Sequence, residues 1–213
     1  MNSRVSQLWI RNSLKSFLFL VAFGTVADAG AQTWVVGGSV GAAEQQDYAI
    51  GGTVTNRDDV DTAFGVFGGY MIKEHQIVVA SFVDFGTPSY SGPAFGGFTD
   101  ALDADGFDIS YVAGWAPNDQ ERISIFGSLG VLSWDQDVRY TDTSGTFEYH
   151  DEGTSFSLGF GADFNLEADG SSPWSVHATY KLFKDVGDAD NSGHELDRAL
   201  LSFGIAYRFG DRD

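Results

Sequence analysis

The chain has no cysteine and only 4 prolines, and both shortages narrow what it can be. Small exported soluble domains often lean on disulfides, whereas a large hydrogen-bonded barrel does not need them. No Pro-rich linker and no shift in composition divides the 213 residues, so they read as one domain. Basic residues are scarce as well, 12 Lys and Arg against 30 Asp and Glu, for a net charge of −18. That balance argues against nucleic acid, or an anionic membrane surface, being held through a basic patch. A helical hydrophobic period does not persist, and no uncharged apolar run is long enough for a membrane-spanning helix.

The one apolar run of note lies at the start. Arg4, Arg11 and Lys15 precede "SFLFLVAFGTVA", Ser16 to Ala27, and "ADAGAQ" follows with two small-x-small options. This order of charge, apolar stretch and small residues predicts a signal peptide over residues 1–31, cut after Ala29 or Ala31. Removing Arg4, Arg11, Lys15 and Asp28 from the totals of 12 basic and 30 acidic residues leaves a mature chain, 32–213, of net charge −20.

What the mature chain does have is alternation. Apolar residues at every second position recur eight times, predicting strands at about 34–42, 62–72, 75–86, 105–116, 121–134, 154–166, 173–183 and 198–209. In "SFSLGFGADFNL", Phe156, Leu158, Phe160, Ala162, Phe164 and Leu166 share one face, and Ser, Gly, Asp and Asn share the other. Connections of roughly 19, 18, 19 and 14 residues alternate with links as short as "KE", so the long loops collect at one end and the termini at the other.

Volume indicates which face is outside. An eight-stranded barrel is only wide enough inside to be filled by side chains. The bulky faces are too large for that space, while the Gly, Ser, Ala and Thr of the opposite faces suit it. Long polar side chains are rare in the strands, and acidic residues crowd the loops: Asp58, Asp59 and Asp61; Asp100 and Asp103; Asp135, Asp137, Asp151 and Glu152; Asp185, Asp188 and Asp190. The expected fold is all-β, an eight-stranded antiparallel up-and-down transmembrane β-barrel with its apolar face outward. Trp34, Tyr70, Trp115, Phe164, Trp174, Tyr207 and Phe209 fall near the terminal end, and Phe64, Phe85, Phe107 and Phe156 near the other, as two interfacial rings.

"WVVGGSVG", "FGVFGGYMIKEHQIVVASFVDFG", "DADGFDISYVAGWAP", "ISIFGSLGVLSWD", "FSLGFGADFNL" and "LLSFGIAYRF" together resemble the eight-stranded outer-membrane β-barrel family of OmpA and OmpX type. The resemblance implies location in the cell outer membrane, short periplasmic turns, long extracellular loops and insertion by the outer-membrane assembly machinery. It also implies contact with outer-membrane lipid and lipopolysaccharide, and a role in envelope integrity, adhesion or host contact. Two departures matter. Val79 stands where the family often carries an inward Glu, and no peptidoglycan-binding domain follows the barrel, so a cell-wall tether is not expected. Tyr207 and Phe209 are similar to the C-terminal aromatic signature of the class, although "GDRD" follows.

Candidate chemistry is sparse. The charges expected inside the barrel are Asp108, Arg122, Asp163, His177, Lys181, Arg198 and Arg208, and a narrow lumen demands that they form a hydrogen-bonded network. Arg122 is expected to meet Asp163, and Asp108 to meet Lys181 or Arg198. Some eight-stranded outer-membrane barrels modify lipid A. His177 and Thr179 are nonetheless expected to point into the lumen, away from any lipid substrate, so no catalytic residue is assigned. "DADNSG", Asp188 to Gly193, begins like a calcium loop but has Ala199 where the bidentate Glu belongs, and reads as a solvated turn. No metal, cofactor or nucleic acid is expected. A soluble lipocalin-like carrier is the remaining alternative, and an extracellular ligand for the acidic loops stays unassigned.

Overall fold

The computed structural model describes residues 33–46, 56–58, 60–73, 75–93, 97–117, 122–167, 172–188, 190 and 194–210. The predicted signal peptide with both cleavage positions, most of "DADNSG" and the last three residues lie outside them. The strands are β1 (Trp34–Gln46), β2 (Asn56–Asp58), β3 (Val60–Lys73), β4 (Gln76–Asp84) and β5 (Ser89–Gly92), then β6 (Phe98–Trp115), β7 (Ile123–Asp142), β8 (Gly145–Asn165), β9 (Trp174–Asp188) and β10 (His194–Phe209).

All pairings are antiparallel, and eight strands close a ring in the order β1, β3, β4, β6, β7, β8, β9, β10. First and last strands pair from Trp34↔Phe209 to Gln46↔Asp197, which removes the edges an open sheet would leave with unpaired N–H and C=O groups. This closure leans on glycine: a Cβ on Gly41 would fall onto the backbone of Leu201 and Ser202, and one on Gly37 or Gly204 onto the carbonyl oxygen of Ile205 or Gly38. β2 and β5 lie outside the ring, β5 continuing along β6 above the end of β4.

Bulky apolar residues point away from the barrel, with Phe160 64%, Phe203 59% and Val40 58% exposed. A soluble carrier would place them inside. Such a belt is stable only in hydrocarbon, which identifies the outer surface as lipid-facing over spans such as Trp34–Ala42 and Leu201–Phe209.

The eight expected barrel strands form the ring, and three finer points differ from the sequence reading. Two short strands outside the ring, β2 and β5, are additional. The sequence reading ends the fifth strand at 134 and resumes at 154, whereas β7 and β8 remain paired up to Asp142↔Gly145, with only Thr143 and Ser144 between them. The acidic "loops" are therefore largely strand, and two of their residues are interior: Asp100 is 0% and Asp151 3% exposed. Finally, Phe85 is wholly buried rather than part of an outer ring. It has the inward parity of Val79 and Val83, and Gly86, at φ +72°, turns the chain out of β4 immediately after it.

Candidate functional site

The lumen is filled in layers, each set by the strand register. Nearest the termini, Asp163 accepts a hydrogen bond from Ser175 Oγ at 2.9 Å, with Arg208 and His177 within electrostatic reach. The His177 ring meets Phe67 edge-on at 5.2 Å.

The next layer holds a buried ion pair. Asp108 on β6 accepts from Lys181 Nζ on β9 at 2.5 Å, from Ser110 Oγ at 2.6 Å and from Ser157 Oγ on β8 at 2.6 Å. Lys181 Nζ also donates to Ser110 Oγ at 2.7 Å. One carboxylate thus ties together three strands, its charge met by a cation and two hydroxyls.

Above it lies an apolar plug that includes Phe85, Phe183, Leu132, Trp134, Val186 and Leu200. Phe85 and Phe183 pack edge to face at 5.0 Å. Trp134 donates Nε1–H to Ser155 Oγ at 2.7 Å, which in turn donates to the Asp185 carbonyl at 2.8 Å, so the one polar atom of that indole is satisfied. Higher still, Arg198 donates from Nη2 to Gln136 Oε1 at 2.8 Å, its guanidinium 5.4 Å from the Phe85 ring. Burial brings Arg198 down to about 10 against the pull of Tyr90 and Asp103, and it stays cationic at neutral pH. Tyr90, Leu102, Val138 and Leu196 form a second buried apolar group.

Among the residues singled out from sequence, Asp108 and Lys181 are therefore together. Arg198 is on the far side of the plug from them, across Phe183 and Phe85. Arg122 is corrected: it is exposed, its guanidinium lies 4.8 Å from the outward Phe164 ring, and it does not reach Asp163. It precedes the first residue of β7, so its side chain can bend to the hydrated rim rather than enter the lumen. The terminal-end aromatics lie side by side: Trp34 with Tyr70 at 5.0 Å, Trp174 with Tyr207 at 4.7 Å and Tyr207 with Phe209 at 6.3 Å. Trp115 is 61% exposed on β6, and Phe164 faces outward on β8.

The sequence reading does not find the outer face above the apolar belt, because it divides the acidic residues between strand ends (Asp84, Asp105) and separate loops (Asp103, Asp135, Asp137, Glu152). Register sets Asp84, Asp105, Asp135 and Glu152 directly opposite one another across β4, β6, β7 and β8. Asp103, Asp137 and His150 form the next row. Partial desolvation, then the charges of Asp84 and Asp137, raise the Asp103 carboxyl above its ordinary value of 3.8, while Thr87 and Arg198 oppose the shift. A raised folded-state value means that this group's contribution to stability is full below 3.8 and lost as pH rises through the folded value. Thermal unfolding at stepped pH checks this: the advantage of Asp103→Asn over wild type should be present at neutral pH and vanish toward pH ~3.

The family model described as "OmpA-like transmembrane domain" matches residues 29–213. Outer membrane protein A of Shigella flexneri is 26% identical over 194 residues, covering 90% of this chain and 53% of that protein. Its counterpart in Yersinia pseudotuberculosis is 28% identical over 199 residues, with 91% and 54% covered. The chain spans about half the length of the curated relatives it matches. Among solved structures, Neisserial surface protein A superposes with a TM-score of 0.51 at 10% identity over 83% of this chain and 97% of that one, a likeness of fold.

Proposed function

Since the chain belongs to the OmpA-like transmembrane domain family and is an outer-membrane β-barrel, we propose that it is a non-enzymatic envelope protein acting through strand hairpins held above the membrane. The observation that carries this reading is the continuation of β7 and β8 as a paired hairpin far beyond the lipid-facing belt, over a lumen closed by the Phe85 and Phe183 plug. A filled barrel offers rigidity rather than passage, and a rigid base is what a surface-displayed binding element requires. His177, half-buried with its ring edge-on to Phe67, faces the lumen rather than a lipid substrate, which supports the absence of lipid A chemistry. Export through residues 1–31 and insertion by the assembly machinery, with Tyr207 and Phe209 as its signal, belong to the same proposal.

The test is to replace Asp137–His150 by a short turn. The shortened protein is expected to fractionate with outer membranes and keep heat-modifiable migration, while surface adhesion or tolerance to envelope stress declines. Unchanged adhesion and unchanged tolerance would remove the hairpin from the function. A change in lipid A mass on overexpression of the intact protein would replace the proposal with an enzymatic one.

A further inference from the structure

The β7–β8 hairpin carries more than acidity. Asp135 pairs directly with Glu152, and Asp137 with His150, so these four side chains form a two-by-two patch on its outward face. Ligand atoms from Asp135, His150 and Glu152 lie within 4.8 Å of one another. His150 Nδ1 is 2.8 Å from Asp137 Oδ1. An acidic face that serves only solubility has no use for an imidazole at its centre, still less for one held by a carboxylate. An imidazole and two carboxylates grouped this closely offer the donor set of a first-row metal site, and an ion taken up by Nε2 would leave Asp137, at Nδ1, as the outer support of the ring. The antiparallel ladder fixes the spacing, since directly opposed side chains cannot drift apart without breaking the pairing.

We infer that this hairpin binds a divalent transition-metal ion of the zinc type through Asp135, His150 and Glu152, with Asp137 positioning His150. Three protein ligands leave a coordination position open to water or to an external donor. The imidazole sets the preference: calcium and magnesium take oxygen ligands, whereas zinc and its neighbours accept nitrogen. Asp105 and Asp103, paired with Asp135 and Asp137 on β6, add negative potential that draws a cation to the spot.

Full-length mature protein refolded in detergent can be titrated with zinc by calorimetry and with cobalt(II) by visible absorption. The expected result is one ion per chain, a cobalt spectrum showing nitrogen ligation, and no displacement by equimolar calcium. His150→Ala is expected to weaken zinc about a hundredfold, Asp137→Asn roughly tenfold, as loss of a ligand and loss of its support do. Glu148→Gln, on the same hairpin but paired with Arg139 at 3.4 Å, should bind as wild type. Heat-modifiable migration verifies that each variant is folded, and Glu152→Gln repeats the test should His150→Ala fail it. Wild-type affinity in both ligand variants, or displacement of cobalt by equimolar calcium, would reduce the patch to a diffuse acidic surface and overturn the assignment.

Discussion

Replacing Lys181 with methionine is expected to lower the stability of the folded barrel by about 3–5 kcal/mol, the cost of leaving a buried charge without its partner. Asp108 has no exposed surface, and Lys181 Nζ is its only cationic partner among the described residues. The hydroxyls of Ser110 and Ser157 remain in Lys181→Met, and they solvate the carboxylate without neutralising it. Removing both charges, Asp108→Leu with Lys181→Met, should recover most of the loss, because two apolar side chains in one lumen layer have no desolvation cost to repay. Urea unfolding in micelles, followed by gel migration, gives both values. If the single variant unfolds within about 1 kcal/mol of wild type, the pair is not what braces β6, β8 and β9 together.

Phe183→Ala is expected to cost a similar 3–5 kcal/mol for a different reason, the cavity left in a closed layer. The Phe183 ring is fully buried, meets Phe85 at 5.0 Å and lies 5.5 Å from Lys181 Nζ. A barrel wall held by backbone hydrogen bonds cannot collapse inward to fill that space, so little of the cost is relieved by relaxation. Because Phe183 touches Lys181, the double variant Phe183→Ala, Lys181→Met should fall short of the sum of the singles by about 0.5–3 kcal/mol. The same unfolding assay reads it, and strict additivity would show that ion pair and plug are independent.

The spans were legible because lipid makes the alternation one-sided. In β7, Leu129 and Val131 point out while Ser128 and Gly130 point in, a pattern that volume alone could assign. Above the belt the chemistry inverts on the same strand. Leu132, Trp134 and Val138 turn inward, and Asp135, Asp137 and Arg139 outward. A reader looking for apolar residues on the outward positions sees the strand stop at that inversion, which is why the hairpins were mistaken for loops. β6 changes in the same way, from outward Ile109 and Tyr111 to inward Leu102 and Ala104. The inversion itself is visible in the sequence and marks where the membrane surface crosses each strand. Phe85 was equally legible from the parity of Val79. Arg122 was not, because at a strand end parity no longer dictates where a long flexible side chain goes. Nor was the acidic and histidine patch, since it exists only once register places residues from different strands side by side.

The pairing of Trp34 with Phe209 also governs time. Every other ring contact joins strands that follow one another along the chain once β2 and β5 are set aside, so hairpins can form locally and early. Closure alone spans the entire domain, and it must wait for the last strand to arrive. Until then β1 and the growing end both present open hydrogen-bonding edges beside an apolar face, the species most prone to aggregate. Substitutions at the β1–β10 seam that fit the finished barrel, such as truncation of the outward Val40 or Phe203, should accordingly slow the final step of assembly more than they weaken it.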